Sequence, residues 1–309
     1  MRREKGRRTT TACAAFAAGG LWASAASGGP AIGQFEIKSL DSQPGEIELQ
    51  SQNAYMLGNP RRKTVVGPGG DIEADGNSLA RQRNALELEL GITRHLKGRI
   101  GIEYERERRE DMTSQSDAHR YEDLTLDEYA VEVIGIIVPR HGDGIGLGVV
   151  VEYEIPAESG GAQTLTAGPI FEWAKGPWTV TLNPTLVQFF GGERNEAGRK
   201  DEKMGFAYAN RIKYRWSENL DAAVEAYGAV ERIGGRGGRS HESALFGDFH
   251  QHRIGPVFYW NFTPEFATSH DASGIEDGEQ MVSLGFGTLF GLNDDTPSTT
   301  LKLSMEVYF

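Results

Sequence analysis

Two pairs of side chains in the second half of the chain have the types and spacing of reactive groups. His241 and Ser243 lie two residues apart, as a general base and a nucleophile would, but they fall in a Gly-rich polar stretch with no evident asparagine to orient the imidazole. His250 and His252 would point the same way on a strand and could hold a metal ion, yet only Asp248 offers itself as a third ligand. We therefore predict no catalytic residue, no metal site and no cofactor, and a protein that is not an enzyme.

A Gly-Arg stretch and a single thiol lead to the same conclusion. The sequence GGRGGR at 234–239 could cradle a phosphate, such as one of lipopolysaccharide, but it does not join a strand to a helix as a nucleotide loop would. A flexible loop is the better interpretation. The only cysteine, Cys13, lies in a predicted export signal, so the mature chain would have no thiol chemistry.

Charged side chains recur at every second position in many segments, and we predict that they line a lumen. Because alternate residues of a strand point to one face, each run would form part of one wall. The predicted lumen-lining residues are Glu87, Glu89, Glu103, Glu105, Glu128, Glu132, Glu152 and Glu154 on an acidic wall, and Arg211, Lys213, Arg215, Asp221, Glu225 and Arg253 on a more basic wall. Facing walls of this kind would select solutes by charge and dipole. The alternative is an interior filled by salt-bridged side chains.

The elements that must position these charges are strands. In the last segment, Leu301, Leu303, Met305, Val307 and Phe309 alternate with polar residues and with Tyr308, which is typical of a half-exposed strand. Similar runs recur along the chain, and their length suits a tilted crossing of a bilayer. The twelve predicted strands are 46–57, 82–90, 97–107, 126–138, 144–155, 163–173, 178–190, 204–216, 220–232, 249–260, 279–290 and 299–309.

Hairpin parity tests the assignment, since paired strands must place their apolar faces on one side of the sheet. One hairpin is predicted to pair Arg215 with Asp221 and Arg211 with Glu225. A second pairs Trp173 with Trp178. A third pairs Ile137 with Ile145, which brings Glu128 near Glu154, and this like-charge pair would need a cation or water between its members. Pro169, Pro184 and Pro256 lie inside proposed strands, so bulges or misplaced strand ends are expected there.

Connection lengths predict an orientation. Short connections at 91–96, 139–143, 174–177 and 217–219 alternate with long polar ones at 58–78, 108–125, 191–203 and 233–248, as periplasmic turns and extracellular loops do. The segment 261–278 departs from this pattern, being long where a short turn is expected. Aromatic residues are predicted to form a membrane-interface belt beside the short turns: Trp173, Trp178, Trp216, Trp260, Tyr308 and Phe309.

The N-terminus predicts export. MRREKGRR precedes a small-residue apolar run, and Ala23-Ser24-Ala25 offers a cleavage site, so 1–25 is a predicted signal peptide, 26–45 a periplasmic N-terminal segment and 46–309 the barrel. Whether 26–45 is a plug or a tether is left open. Subtracting the leader's charge of +4 from −12 leaves −16, which argues against nucleic-acid binding. No run of 18 apolar residues follows the leader, which excludes a helical membrane span.

These observations predict an all-β fold, a transmembrane antiparallel up-and-down β-barrel of about twelve strands in the cell outer membrane. The phrases GEIELQSQNAYMLGNPRRKTVV, RQRNALELELGITRHLKGRIGIEYE, IGPVFYWNFTPE and LGFGTLFGLNDDTPSTTLKLSMEVYF resemble the outer-membrane channel family named for the MetA pathway of phenol degradation. The resemblance implies a channel for small compounds, aromatic ones among them, and transfers no functional residue.

Two other functions remain open. His241 and Ser243 have the His-x-Ser spacing of outer-membrane phospholipases, which are also twelve-stranded, so a lipid-acting enzyme is one alternative. A structural or adhesive barrel acting through its loops is the other. The expected partners are outer-membrane lipid and lipopolysaccharide, small solutes, and the barrel-assembly machinery. The strand that ends at Phe309 resembles the signal that this machinery recognises. No nucleic acid is expected.

Overall fold

The fold was analysed in a computed structural model. It describes residues 35–59, 65–66, 72–73, 78–109, 121, 123–140, 142–191, 203–230, 233, 250–264 and 281–309. The predicted signal peptide, the first nine residues of the segment 26–45, and the stretch containing His241, Ser243, Asp248 and 234–239 lie outside these ranges. Among the described residues, no helix is long and apolar enough to cross a membrane.

Every regular element in the described chain is a strand. In order, the strands are β1 (Ile47–Leu57), β2 (Val65–Val66), β3 (Ile72–Glu73), β4 (Ser78–Thr93), β5 (Leu96–Arg109), β6 (Thr125–Val138), β7 (Gly144–Pro156), β8 (Ala162–Lys175), β9 (Trp178–Gly191), β10 (Lys203–Arg215), β11 (Leu220–Val230), β12 (Gln251–Phe262), β13 (Met281–Gly291) and β14 (Thr299–Tyr308).

Twelve of these strands form one closed antiparallel barrel, and β2 and β3 form a separate two-stranded hairpin. Consecutive barrel strands are neighbours, and β1 pairs with β14 to close the cylinder, with Gln50 opposite Glu306. The backbone of Phe309 extends this seam by exchanging hydrogen bonds of 2.9 and 3.3 Å with Ile47. Closure leaves no barrel strand with an unpaired edge, which the backbone needs where water is absent. The predicted fold is therefore confirmed.

Alternation of side chains gives the barrel two different surfaces. Along β7, the exposed residues Ile145, Leu147, Val149 and Val151 alternate with buried Val150, Glu152 and their neighbours. The buried side chains point into the barrel, whose interior is filled. The large apolar side chains point outward. This inversion of the usual soluble arrangement is what a lipid-facing surface requires.

The strand boundaries agree with the sequence to within a few residues, but two of the three predicted registers are shifted. Arg215 pairs with Asp221 and Arg211 with Glu225, as predicted. Trp173, however, pairs with Val180 instead of Trp178, because the turn is only Gly176-Pro177 and Lys175 meets Trp178. Gly176 has a φ of +56°, which glycine adopts without strain and which makes so tight a turn possible.

The second wrong register lies between β6 and β7. A bulge between Ile136 and Val138 changes the count, so Glu132 pairs with Glu152 and Glu128 with Pro156. Both errors amount to two residues, so every side chain keeps its predicted face. The like-charge contact therefore persists in the wall, but with different partners.

The prolines inside strands interrupt the ladders as their missing N–H groups require. Between β8 and β9 the pairing passes from Ala167–Leu186 to Phe171–Leu182, skipping Pro169 and Pro184. Between β12 and β13 it skips Pro256 in the same way. A Cβ on Gly168 would lie 2.1 Å from the carbonyl oxygen of Pro184, so the strands remain in close contact at the interruption. The wall is irregular there but not open.

Candidate functional site in the barrel lumen

The N-terminal segment, residues 35–42, enters the barrel from the end at which β1 begins and β14 ends. Phe35, Ile37 and Leu40 are buried, and so are Glu36 and Lys38. Phe35 packs with its ring centroid 5.5 Å from that of Tyr227 on β11. This part of the segment therefore lies inside the lumen. Residues 35–42 fill part of the barrel interior and do not merely tether the barrel.

Lys38 is the main polar anchor of the segment. Its Nζ lies 2.6 Å from Glu132 Oε2, 2.7 Å from Glu36 Oε2 and 4.0 Å from Glu152 Oε1. The side chain of Asn183 also brackets its backbone, accepting from Lys38 N at 2.8 Å and donating to Lys38 O at 3.2 Å. The amide thus completes hydrogen bonds that a single inserted strand lacks.

Glu36 links the segment to Arg99 on β5. Its carboxylate accepts hydrogen bonds from Arg99, which also donates to Glu89. Burial alone would raise the pKa of Glu36, but the charges of Arg99 and Lys38 outweigh it and hold that pKa well below its usual value. Burial alone would likewise lower the pKa of Lys38, and the charges of the surrounding glutamates raise it instead. Both groups are ionised at neutral pH.

The segment is fixed at the rim as well. Leu40 N donates to Glu172 Oε1 at 3.1 Å, and Arg140, in the β6–β7 turn, donates to the other oxygen of Glu172 at 2.9 Å. Arg140 lies 3.3 Å from Asp41, and Ser42 Oγ donates to Thr93 O at 2.9 Å. Burial would lower the pKa of Arg140, but these carboxylates raise it.

A second buried network surrounds Glu225 on the opposite wall. Lys302 Nζ lies 2.7 Å from Glu225 Oε2, and the hydroxyls of Tyr227 and Tyr259 both donate to the same carboxylate. Arg253 donates to Thr300 Oγ1 at 3.0 Å and covers the ring of Phe35 at 4.7 Å from its centroid. A tyrosine-and-lysine cluster therefore receives the tip of the segment.

The glutamates of the predicted acidic wall lie on inward strand faces that also carry cations. Glu87, Glu89, Glu103, Glu132, Glu152 and Glu154 are buried inside the barrel, whereas Glu105 and Glu128 are half-buried. The sequence interpretation missed four cations on the same inward faces, Arg81, Arg83, Lys97 and Arg99. They stand at the same alternating positions of β4 and β5 as the glutamates, so the pattern could have found them.

The predicted basic wall is only partly brought together. Arg211 and Lys213 are half-buried, Lys213 lies 3.2 Å from Asp221, and Arg253 is buried. Arg215 is exposed at the last position of β10 and so lies at the rim of the barrel. With Glu225 and Asp221 on this wall and arginines on the other, the charges are paired locally and not segregated wall against wall.

A small cavity of about 40 Å³ remains beside the N-terminal segment. That volume holds on the order of three water molecules. One side of the cavity is acidic and the other carries hydroxyl, amide and small apolar groups. It is lined by Glu36, Lys38, Val150, Glu152, Glu154, Thr166, Asn183, Thr185, Val187, Ala207, Tyr208 and Ala209.

Two further groups could bind ions in principle. Within the described ranges, the oxygens of Glu103, Asp127 and Glu128 lie within 4.8 Å of one another, but Arg83 already pairs with Asp127. His252 Nδ1 is 3.0 Å from the hydroxyl of Tyr208, and the two rings stack. His252 is thus engaged by an aromatic partner, and the acidic group is neutralised by an arginine.

Four tryptophans are exposed on the outside, at the end of the barrel where β1 begins and β14 ends. Trp173, Trp178, Trp216 and Trp260 are between 37% and 72% exposed, and Phe309 is 54% exposed. Tyr308 differs, because it shares a face with Lys302 and Ser304 and its hydroxyl donates to Glu306 at 3.2 Å. Its register position therefore puts it on the inner side of the rim and not in the outward set.

A closed antiparallel cylinder with an apolar exterior and a charged interior defines the class of protein: an outer-membrane β-barrel. No protein-family model and no curated protein sequence matches the chain. Among solved structures, an outer membrane channel from Pseudomonas putida F1 is similar with a TM-score of 0.55 and 10% identity, over 88% of this chain and 99% of that chain.

Two porins are similar at lower scores. The NanC porin has a TM-score of 0.48 at 10% identity, covering 84% of this chain and 98% of that chain. The KdgM porin in complex with disordered oligogalacturonate has a TM-score of 0.41 at 8% identity, covering 85% and 98%. At such identities the likeness concerns the fold. The fold of an outer-membrane β-barrel is supported, and the resemblance to the family named for the MetA pathway is not confirmed.

Proposed function

We propose that the protein is a passive outer-membrane channel for small hydrophilic solutes, which pass through the lumen when the N-terminal segment moves aside. The observation that carries the proposal is the charged interior, which includes Glu152, Glu225, Arg99 and Lys302 at relative exposures of 7% or less. A barrel without a hydrophilic task could fill its interior with apolar side chains, and burying so many charges is costly unless they are paired or hydrated.

The N-terminal segment sets the size of what can pass. With residues 35–42 in place, the cavity of about 40 Å³ admits water and small ions but no larger solute. Larger solutes therefore require the segment to move. Its attachment combines ion pairs and hydrogen bonds of Lys38, Glu36 and Asn183 with the burial of apolar side chains, and none of these contacts belongs to the strand ladders, so the segment can be released without unfolding the strands.

Planar-bilayer conductance tests the channel. We expect the purified mature protein to give discrete conductance steps, and a variant lacking 26–42 to give steps several-fold larger. Deleting a matched length of the β12–β13 connection 263–280 serves as the control, because it removes a similar number of residues and leaves the segment 26–42 intact. A folded barrel that gives no steps with or without 26–42 would rule out the channel.

The lipid-acting enzyme remains the second candidate from the sequence, through His241 and Ser243. It predicts release of fatty acid from outer-membrane phospholipid that is lost in Ser243→Ala and kept when the lumen is altered. Because the charged lumen suits the passage of solutes, which requires no covalent chemistry, we propose that the protein is not an enzyme. A barrel acting through its loops would instead lose function on deletion of 233–248 and keep it when lumen residues are replaced.

A further inference from the structure

The outer surface of β1, β4 and β5 changes from apolar to polar within a few residues. One cross-strand row near the middle is Leu49, Leu88 and Ile100, all exposed. Along the strands, away from the end at which β1 begins, the second row after this one consists of Asn53, Asn84 and Tyr104. The third row consists of Tyr55, Gln82 and Arg106. The acyl region of the outer leaflet would end between these rows.

Two arginines lie together on this polar surface, which we call the Arg106 patch: Tyr55, Gln82, Arg106, Arg108 and Tyr121. Arg106 donates from Nε to Gln82 Oε1 at 2.8 Å, and its guanidinium lies 4.9 Å from the centre of the Tyr121 ring. Arg108 lies 5.9 Å from the same ring centre. The hydroxyls of Tyr55 and Tyr121 are hydrogen-bonded to each other, so the ring that orients both arginines is itself held in place.

These arginines differ from their neighbours on the inward face. Arg81 and Arg83 both form ion pairs with glutamates inside the barrel. In the part of the chain that the structure describes, neither Arg106 nor Arg108 has a carboxylate partner, and Arg108 Nε is shielded from solvent with no hydrogen-bond partner. Two guanidinium groups fixed side by side without a carboxylate present the donors that a phosphate accepts.

We propose that the Arg106 patch binds the phosphorylated glucosamine headgroup of lipopolysaccharide. A lipid is favoured over free phosphate because the exposed Leu86 and the half-buried Ile102 lie on the same outward face, two cross-strand rows nearer the membrane centre than Gln82 and Arg106, where acyl chains attached to the same headgroup would pack. Gln82 connects the patch to Asn84, donating from Nε2 to Asn84 Oδ1 at 3.1 Å, and the Asn84 amide nitrogen is a donor suited to a sugar hydroxyl. The proposal rests on the outer-membrane location of the proposed function, but not on conduction through the lumen.

The test is a titration of the purified full-length mature barrel in neutral detergent with diphosphoryl lipid A, monophosphoryl lipid A, dioleoyl phosphatidylglycerol and inorganic pyrophosphate. We expect diphosphoryl lipid A to bind most tightly, and Arg106→Gln with Arg108→Gln to weaken it about tenfold or more, since two charge-assisted hydrogen-bonding groups are lost. Lysine at both positions should restore part of the affinity, because it keeps the charge but not the paired geometry.

A matched control removes two cations from the opposite rim. Arg94 and Lys175 are both exposed there, and their replacement by glutamine should leave lipid A binding unchanged. Equal losses in both double variants would overturn the proposal, because the effect would then be one of net charge. Unchanged binding in the Arg106 and Arg108 variant would also overturn it, as would pyrophosphate binding as tightly as lipid A. Heat-modifiable migration of every variant verifies folding, and conductance, measured separately, reports on the channel.

Discussion

Lys38 Nζ lies 2.6 Å from Glu132 Oε2, at the point where Glu132 stands directly opposite Glu152 in the β6–β7 ladder. Two glutamates facing each other across a ladder repel, and this pair is buried. Two cations relieve the repulsion: Arg99, which stands opposite Glu132 on β5 with its Nε 3.7 Å from Glu132 Oε1, and Lys38, which comes from outside the sheet, from the N-terminal segment. The wall therefore provides the binding site for the segment, and the segment helps to neutralise the wall.

Replacing Lys38 by glutamine should release the segment and destabilise the barrel. The change leaves Glu132 with Arg99 as its remaining cation and removes the lysine that lies beside both Glu132 and Glu152, and removing one partner of a buried ion pair costs about 3–5 kcal/mol. We expect larger single-channel conductance and a lower temperature for the heat-modifiable transition. Lys175→Gln, an exposed lysine at the rim, is the control and should change neither. Wild-type conductance in the Lys38 variant would show that the segment does not limit the path.

Replacing Asn183 by alanine should loosen the segment while leaving every charge in place. The change removes two hydrogen bonds to the backbone of Lys38, each worth about 1 kcal/mol. Backbone amide exchange at 35–42 should become at least several-fold faster, as measured by hydrogen–deuterium exchange. Asn210→Ala on the outward face of β10 is the control. Equal protection of 35–42 in both variants would contradict the anchoring role of Asn183.

The docked segment should be insensitive to pH over a wide range. The pKa of Glu36 is lowered from 4.5, so its contribution is complete above about pH 4.5 and is lost only as the pH falls through the lowered value. The pKa of Lys38 is raised from 10.5, so its contribution is complete below about pH 10.5. Conductance measured at pH 5 and pH 7 should therefore be the same apart from the effect of the electrolyte. An abrupt increase between those values would mean that other groups hold the segment.

Strand positions and faces could be predicted from the sequence because they depend on a period of two. A side chain in lipid must be apolar at every second position, and Leu301 to Phe309 show this pattern without interruption. Register depends on the turn and on bulges, which the pattern does not encode. The β8–β9 hairpin closes through the two residues Gly176-Pro177, and β6 contains a bulge, so both predicted registers were wrong by two residues.

The lumen was only partly predictable for a different reason. The glutamates of β4 to β7 were found by alternation, but Lys38 and Glu36 belong to no barrel strand, and their short segment offers no periodicity. Only the three-dimensional structure shows that they meet Glu132 and Arg99. The sequence nevertheless indicated that a pair of facing glutamates between β6 and β7 would need a cation. The structure supplies a cation at a different pair of the same ladder, Glu132 with Glu152.

Replacing Glu225 by glutamine should destabilise the wall without affecting the segment's ion pairs. Glu225 is fully buried and compensates Lys302, while Tyr227 and Tyr259 donate to it. The variant leaves the lysine buried without its carboxylate, and we expect a loss of about 3 kcal/mol or more in the free energy of unfolding, measured in urea. Glu158→Gln, in the exposed β7–β8 turn, is the control and should have almost no effect. Equal stability of the two variants would mean that water replaces the carboxylate.

Removing Phe309 should impair assembly more than it impairs the folded barrel. Its side chain is 54% exposed, so it adds little packing, and its backbone makes only the last two hydrogen bonds of the β1–β14 seam. We propose that the terminal strand is a signal for the barrel-assembly machinery, in which case deletion should reduce the heat-modifiable protein in outer-membrane fractions several-fold. Phe290→Ala, an equally exposed aromatic on β13, is the control. Refolding of the deletion variant in detergent should match the wild type, because no assembly factor takes part there. If refolding fails to the same extent as assembly in cells, the seam itself needs Phe309 and the signal role is wrong.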